Sequence, residues 1–281
     1  MTMKLAPDQE SVERMKQAER AWHDAAYDAH PEYAFPDTIE EFQRLFVKVQ
    51  ISRFCDGGWS WWGDARREAI DALGDVRGLR VLDYGCGYGG LGLYLSLRGA
   101  QVWGFDFSRP AIETANKAAQ RYGLAAEFAQ MDAAALTYPD EFFDLVMGFG
   151  VLHHVIKYPE ADTHLLRILK PDARAIFHET LWDNPLINFA RRFTSEHSDA
   201  GDAHLTEREI RRFCQNFRHV RLEKRHLLYM LKRLAKPPRT EWKAELTPRP
   251  LWRALSALDG RLLRFPPLRR YCGEVIVYLQ K

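Results

Sequence analysis

The sequence is poor in cysteine and has no segment typical of a leader or a membrane span. Its four cysteines, among 281 residues, show neither close pairing nor the spacing of a metal site, so they predict free thiols in a reducing compartment. The first ten residues contain no apolar core, and no signal peptide is therefore expected. No apolar run is long enough to cross a bilayer. These absences predict a cytoplasmic protein.

The chain also lacks an excess of either charge, although its charges are unevenly distributed. Forty lysines and arginines stand against 38 aspartates and glutamates in the whole chain, whereas residues 226–270 contain eleven basic and three acidic residues. A helical stripe of leucines runs through that segment, at Leu251, Leu255, Leu258 and Leu262. A basic amphipathic segment of this kind can lie on a membrane, meet an anionic substrate, bind RNA or form a solvated helix face.

Among these interpretations of residues 226–270, a lid over a substrate or a contact in a homodimer is favoured. Nucleic acid is disfavoured as a partner, because no recognised RNA-binding module flanks the segment. Peripheral membrane contact through residues 226–270 stays open as an alternative.

The most informative stretch is 81–90, which reads VLDYGCGYGG. Two apolar residues and an acid lead into closely spaced glycines, which predicts a strand followed by a turn where the backbone passes close to a ligand. Residues 102–106, VWGFD, predict a second strand ending in an acid that can accept hydrogen bonds from ribose hydroxyls. The glycine pattern alone also fits a dinucleotide, but Asp83 would repel a pyrophosphate and suits a ligand that carries an ammonium group.

With these residues, the sequence resembles the class I S-adenosylmethionine-dependent methyltransferases over roughly residues 75–225. The resemblance implies that Asp83 and the glycines cradle the methionine part of S-adenosylmethionine, that Asp106 binds its ribose and that Asp132 reads its adenine. The cofactor-binding residues that it implies are Asp83, Gly85, Cys86, Gly87, Gly89, Asp106, Phe107, Ser108, Met131, Asp132, Ala133, Phe149 and Gly150.

The resemblance and the alternation of strand and helix patterns predict an α/β fold. We expect a Rossmann-like, doubly wound, mostly parallel seven-stranded sheet with an antiparallel last strand, a helical N-terminal extension and a helical insertion before the last strand. The expected units are a helical cap or lid over 1–72, a core over 73–225 and 271–281, and the basic insertion 226–270. The sequence PDA at 171–173 stands where the family has a Pro-Gly-Gly turn, so the geometry of that turn stays open.

Local signals predict several helix ends. Ser108 can cap a helix that has Pro110 in its first turn, and Gly123 would end that helix. The sequence TERE at 206–209 is typical of a capping box, and residues 165–171 resemble the end of the family's fifth helix.

The segment after the predicted fourth strand, GVLHHV at 150–155, normally faces the transferred methyl group in the family. Histidine suits a general base near neutral pH, so His153 is the first candidate for that role and His154 orients or packs. A purely structural histidine pair is the alternative. Glu179 is a second candidate for acid–base chemistry or substrate binding, whereas His178 would point to the opposite sheet face. No metal-binding motif is present, and no metal is expected.

The acceptor is expected to be a small molecule of the natural-product or sugar type, methylated on oxygen, nitrogen or carbon. Tyr27, Trp61 and Trp62 are candidates for its pocket, and Arg191 and Arg192 for binding an anionic group on it. Core packing and ordinary surface arginines are the alternatives. For the chain as a whole, two other hypotheses remain: a nicotinamide-dependent oxidoreductase and a non-catalytic scaffold that binds S-adenosylmethionine.

Overall fold

The structure is a computed structural model that describes most of the chain. The described residues are 9–28, 35–44, 51–53, 59–61, 63–182, 184–185, 205–229, 231 and 250–281. The α-helices are α1 Gln9–Asp28, α2 Ile39–Gln43, α3 Gly63–Asp71, α4 Gly90–Leu97, α5 Arg109–Tyr122, α6 Leu152–Val155, α7 Ala161–Ile168, α8 Glu207–Phe213 and α9 Pro250–Leu262. The strands are β1 Ile51–Arg53, β2 Trp59–Trp61, β3 Arg80–Tyr84, β4 Gln101–Asp106, β5 Ala126–Gln130, β6 Phe143–Phe149, β7 Leu169–Thr180, β8 His219–Arg225 and β9 Glu274–Gln280.

Seven of these strands form one sheet in the order β5-β4-β3-β6-β7-β9-β8. The strands from β5 to β7 in that order pair in parallel, and β9 runs antiparallel to both of its neighbours. The strand order reverses beside β3, so the carboxyl ends of β3 and β6 flank the point where open α/β sheets bind ligands. The predicted doubly wound sheet with an antiparallel last strand is confirmed.

Alternate residues of the sheet enter two apolar cores, one on each face. Leu82, Val146 and Phe177 belong to one core, whereas Val81 and Ile176 belong to the other. Because both faces are covered at the centre of the sheet, β3 and β6 are mostly apolar and buried, whereas the edge strands β5 and β8 include exposed polar residues. Helix α3 packs on β7 and β9. This helix therefore contacts the seven-stranded sheet although it precedes β3, the first strand of that sheet in the chain.

The predicted helix ends agree with the described backbone. Gly123 follows α5 with a φ of 63°, the left-handed conformation that glycine adopts without strain. Thr206 and Glu209 exchange both bonds of a capping box at the start of α8. Ser108 does precede α5, but its hydroxyl makes no capping hydrogen bond.

Two local predictions differ from the structure. The N-terminal region contains an antiparallel pair of short strands, β1 and β2, in addition to its helices. The predicted fifth helix ends at Ile168, and the strand that follows already includes the sequence PDA at 171–173. Asp172 takes the place of a glycine there with a φ of 59°, which aspartate tolerates better than most residues.

The helical insertion before the last strand is present, as α9 and a 3₁₀-helix, Pro266–Tyr271, between β8 and β9. The division of the chain at residues 72, 225 and 270 stays a prediction. Among the described helices, none is both long enough and apolar enough to cross a membrane.

Candidate active site

The glycine turn after β3 is packed too closely for side chains. Gly85 has a φ of +66°, and a Cβ added there would lie 2.3 Å from Cγ2 of Val151. Gly89 has a φ of +81°, and its Cβ would lie 2.8 Å from Cβ of Ala115. Glycine is the residue that satisfies both constraints. The amide of Cys86 donates to Phe105 (2.8 Å), which fastens the turn to β4.

Asp83 lies under this turn and is almost completely buried. Its Oδ2 accepts a hydrogen bond from the amide of Gly92 (2.8 Å), in the first turn of α4, so the carboxylate caps that helix from a distance. Burial raises the pKa of Asp83 to about 7, and the nearby charge of Asp106 adds to the rise. The site therefore holds a carboxyl group that a cationic ligand would help to ionise.

Asp106 joins the glycine turn to the start of α5. Its Oδ2 accepts from the amide of Gly87 (2.8 Å), and its Oδ1 accepts from the amide of Ser108 (3.0 Å). Burial raises the pKa of Asp106 above its ordinary value, although these amide bonds work against the rise. The hydroxyl of Ser108 is buried and has no hydrogen-bond partner among the described residues, so this corner retains an unused polar atom.

Helix α1, part of the predicted N-terminal cap, lies against the same edge through residues that no motif in the sequence pointed to. Lys16 places its Nζ 2.5 Å from Oδ2 of Asp132, the acid predicted to read the adenine. Asp132 also accepts from the amide of Ala134 (2.8 Å). The guanidinium of Arg20 lies 4.0 Å from the centre of the Phe107 ring, a cation–π contact.

Glu19, one turn away on α1, is buried among polar groups that follow β6. Its carboxylate lies 2.6 Å from Nδ1 of His154 and 3.2 Å from Nζ of Lys157, and it accepts a hydrogen bond from the hydroxyl of Tyr158. Burial alone would raise the pKa of Glu19, but His154, Tyr158 and Lys157 lower it to about 2. Glu19 is therefore ionised and holds α1 onto the site.

His154 has a different environment from a free histidine. Burial lowers the pKa of His154 to about 4, and the neighbouring His153 and His23 contribute, against the opposing effect of Glu19. His154 is therefore neutral at neutral pH and serves as a link between α1 and α6. The orienting or packing role of His154 in catalysis stays a prediction.

The same region contains a set of groups with metal-ligand chemistry. Glu19, His23 and His154 bring one ligand atom each to within 4.8 Å of one another. The ammonium of Lys157, 3.2 Å from Glu19, already balances the carboxylate charge. The negative charge of Glu19 is thus neutralised by protein groups alone. The expectation that no metal binds stays a prediction.

His153 is held by Glu179 on the other side of α6. Nδ1 of His153 lies 2.8 Å from Oε2 of Glu179, while Oε1 accepts from the amides of Val151 and Leu152, each at 2.7 Å. Burial would raise the pKa of Glu179, but these hydrogen bonds outweigh burial and lower it. An ionised Glu179 accepts a hydrogen bond from the Nδ1–H group of a neutral His153, which leaves the lone pair of the ring on Nε2.

The open side of this pair faces the end of β6. The side chain of His153 is 22% exposed, whereas that of Glu179 is 0% exposed. Gly150, with a φ of +63°, lies beside the ring, and a Cβ there would be 3.8 Å from Cε1 of His153. The pair thus combines a buried carboxylate, an imidazole held by it and a neighbouring glycine without a side chain; the role of His153 as a general base stays a prediction.

The remaining predicted residues divide into two groups. Met131 and Ala133 follow β5, where the amide of Met131 donates to Asp106 (3.1 Å), and Phe149 and Gly150 lie at the end of β6. These residues share one edge of the sheet with the glycine turn. Five residues predicted to bind the acceptor remain untested, because the described part of the structure omits Trp62, Arg191 and Arg192 altogether and the side chains of Tyr27 and Trp61.

Comparison with known proteins places this geometry in context. A family model described as "Methyltransferase domain" matches residues 81–172. The chain is 38% identical over 117 residues to a demethylmenaquinone methyltransferase of Thermus thermophilus, covering 41% of this chain and 53% of the relative. It is 28% identical over 194 residues to a ubiquinone biosynthesis O-methyltransferase of an Azoarcus species, covering 60% and 81%. The chain thus spans about half the length of the first of these relatives.

A solved structure supports the fold independently. Phosphoethanolamine N-methyltransferase 2 of Haemonchus contortus, in complex with S-adenosyl-L-methionine, superposes with a TM-score of 0.60 at 17% identity, covering 94% of this chain and 60% of that protein. At this identity the likeness concerns the fold alone. Together with the family model, it confirms the resemblance predicted from Asp83, Asp106 and the glycine turn.

Proposed function

We propose that the protein, whose residues 81–172 match a family model described as "Methyltransferase domain", transfers a methyl group from S-adenosylmethionine to a hydroxyl oxygen of a small molecule. The observation that carries the proposal is the His153–Glu179 pair, which adjoins the glycine turn through Val151. A hydroxyl acceptor has a proton to remove, and this pair is arranged to remove it.

The residues around the turn fit the proposed cofactor. The glycine backbone leaves room for a ligand, and Asp106 lies at the carboxyl end of β4, where a carboxylate can bind ribose hydroxyls. Asp83 offers a carboxyl group beneath the turn that suits an ammonium group. When bound, S-adenosylmethionine supplies a methyl group made electrophilic by its sulfonium.

The chain's own residues then perform the proton transfer. His153 would accept the hydroxyl proton on Nε2 when the acceptor oxygen takes the methyl group that S-adenosylmethionine would supply. Glu179 is a positioning residue, because its buried carboxylate fixes the imidazole through Nδ1 and stabilises the resulting imidazolium. His154 holds the adjacent turn to α1 through Glu19.

The relatives support oxygen as the accepting atom and a small molecule as the acceptor. One relative is named a ubiquinone biosynthesis O-methyltransferase, and another a fatty-acid O-methyltransferase, at 33% identity over 135 residues. An acceptor with a phenolic, enolic or carboxylic hydroxyl would match these names and the proposed base.

The proposal is tested first by calorimetric titration with S-adenosylhomocysteine and, separately, with NADH. We expect binding of S-adenosylhomocysteine alone, weakened at least tenfold by Asp106→Ala, because two ribose hydrogen bonds to a charged group are lost. Asp140→Ala, which changes an exposed carboxylate outside the site, is the matched control. Binding of NADH in place of S-adenosylhomocysteine would favour an oxidoreductase and refute the proposal.

The acceptor is tested by incubating the protein with S-adenosylmethionine and a panel of phenols, hydroxyquinones, fatty acids and amines. Mass spectrometry of the products should show methylation of hydroxyl oxygens. Methylation of amines alone would contradict the choice of oxygen. Tight cofactor binding without any methylated product would favour a non-catalytic scaffold.

A further inference from the structure

Helix α9 in the insertion has an inverted pattern of burial. Its leucine stripe is left open to solvent, with Leu251 58% and Leu258 40% exposed, while Leu255 and Leu262 are only partly covered. Among the side chains of α9 that the structure describes, the buried one is that of Asp259, at 2% exposure. An amphipathic helix of a globular protein normally buries its apolar side chains and exposes its charged ones.

Asp259 explains how α9 is attached to the rest of the protein. Its carboxylate accepts hydrogen bonds from the amides of Leu227 (2.8 Å), Leu228 (2.8 Å) and Tyr229 (3.0 Å), just after β8. This polar anchor turns the face of α9 that carries Asp259 toward the sheet. Leu255 and Leu262 lie four residues before and three residues after Asp259 and so share part of its face, whereas Leu251, Leu258 and Phe265 lie roughly 80–120° around the helix from it.

The apolar surface continues beyond the end of α9. The amide of Phe265 still donates to Leu262 (3.0 Å), so the last turn extends to Phe265, whose side chain is 61% exposed. Leu251, Leu258 and Phe265 recur every seven residues, about two helical turns. Together these three residues form the most exposed large apolar side chains of the described insertion.

Arginines border this apolar surface, and their charge is not neutralised by carboxylates of the described residues. Arg264, Arg269 and Arg270 line one side of a cavity of about 1070 Å³ between α9 and β8. The acids on the β8 side of that cavity are already paired, Glu207 with Lys224 and Glu223 with Arg225. The positive excess therefore lies on the α9 side of the cavity, where Arg264 directly precedes the exposed Phe265 in the chain.

We propose that the surface formed by α9 and the following 3₁₀-helix docks on an anionic phospholipid bilayer, with Leu251, Leu258 and Phe265 among the acyl chains and the arginines at the lipid phosphates. Exposed leucine and phenylalanine next to uncompensated arginine are the combination that an interfacial helix requires. Long arginine side chains reach headgroup phosphates while their stems stay in apolar surroundings.

The positive charge of this surface favours a lipid bilayer over the other partners that could cover it. Residues 232–249 are close in sequence, but they contain six basic and two acidic residues, so they would add positive charge to the arginines. A second copy in a two-fold contact would bring the same arginines toward each other. A lipid surface supplies both the negative charge and the apolar phase.

The test is flotation of the full chain with vesicles of phosphatidylcholine alone and of phosphatidylcholine mixed with phosphatidylglycerol, which requires no knowledge of the methyl acceptor. We expect partition into the mixed vesicles only, reduced by high salt. Arg264→Gln with Arg270→Gln should weaken partition by about fivefold per arginine. Arg77→Gln with Arg218→Gln, an equal charge change at exposed sites elsewhere, should leave it unchanged.

Phe265→Ser should weaken partition about tenfold or more, since one aromatic side chain no longer enters the lipid. Each variant should keep the melting temperature and S-adenosylhomocysteine affinity of the wild type. Failure of the wild type to float with the mixed vesicles, equal flotation with both vesicle types, or full flotation of the double arginine variant would each overturn the proposal. So would a dimer in solution that Phe265→Ser dissociates while vesicles remain unbound.

Discussion

Two carboxylates on neighbouring strands hold histidines on opposite faces of the sheet, and their surroundings differ in one respect. Glu179 holds His153, whose side chain keeps 22% of its surface open at the end of β6. Glu274 lies 3.1 Å from Nε2 of His178 and 2.8 Å from Nδ1 of His226, and all three side chains are at most 5% exposed. The same pairing therefore leaves a partly exposed histidine, the proposed base, on one face and forms a closed link between β7, β9 and the chain after β8 on the other.

This difference indicates that an acid–histidine pair is evidence for a catalytic role only when the side chain of the histidine is exposed. His178 also receives a hydrogen bond from Nε of Arg66 (3.4 Å), so both of its ring nitrogens are used. Burial lowers the pKa of His178, although Glu274 acts against this. A histidine without an open nitrogen cannot exchange protons with a substrate.

The largest expected effect comes from removing the accessible base. His153→Ala should lower kcat/KM by about 100- to 10,000-fold, because no other group replaces general base catalysis. S-adenosylhomocysteine affinity should change little, whereas the melting temperature should fall modestly, because Oε2 of the buried Glu179 loses its partner. Steady-state kinetics with a hydroxyl acceptor provide the measurement, and His219→Ala, at an exposed histidine of β8, is the control. An active His153→Ala variant would remove the distinction between the two clusters.

The converse effect is expected at the buried cluster. Glu274→Gln should lower the free energy of unfolding by about 1–3 kcal/mol, because two buried histidines lose a charged acceptor. The kcat of the protein that remains folded should stay at the wild-type value. Urea denaturation measures the first quantity, with Glu127→Gln on the exposed side of β5 as the control. A large loss of kcat at full folding would instead assign catalysis to the buried face.

The pH dependence of the free energy of unfolding tests whether His154 is buried in its neutral form. The pKa of His154 is lowered by burial from 6.5 to about 4, so between these values the unfolded chain binds a proton that the folded protein does not. Stability should therefore fall as the pH decreases from about 6.5 to 4, on the order of 1 kcal/mol per pH unit. Unfolding curves across this range should show a shallower decline for His154→Gln. An identical slope in both proteins would contradict the assignment.

The smallest expected effect concerns metal. Dialysis against EDTA should change neither the melting temperature nor kcat/KM, because Lys157 already compensates Glu19 in the cluster with His23 and His154. Calorimetric titration with Zn²⁺ should give the same result for the wild type and for His23→Ala. Activity that is lost in EDTA and restored by Zn²⁺ would show that the cluster holds an ion.

Much of the fold could be predicted from the sequence because its signals are local. The glycines of the turn, the acids that end β3 and β4, Gly123 and the capping box at Thr206 each act within a few residues of themselves. The start of β7 was predicted too late, since Asp172 adopts a backbone conformation usually reserved for glycine and lets the strand include the sequence PDA.

The candidate site could be predicted only in part because its decisive contacts are distant in the chain. Glu179 and His153 were both identified, but their pairing bridges 26 positions and follows from the register of β6 and β7. Lys16 and Glu19 were missed, since they meet Asp132 and His154 across 116 and 135 positions. An amphipathic helix pattern contains no information about which distant acid or histidine it will contact.

The buried carboxyl group of Asp83 links the binding of a cationic ligand to the release of a proton into the solvent. With a pKa of about 7, roughly half of these groups carry a proton at neutral pH. An ammonium group beside Asp83 would expel that proton, so cofactor binding would acidify the medium and tighten as the pH rises through 7. Titrations in buffers of different ionisation enthalpy would reveal the released protons, and the acidity of the surroundings would then set how fully the enzyme is loaded.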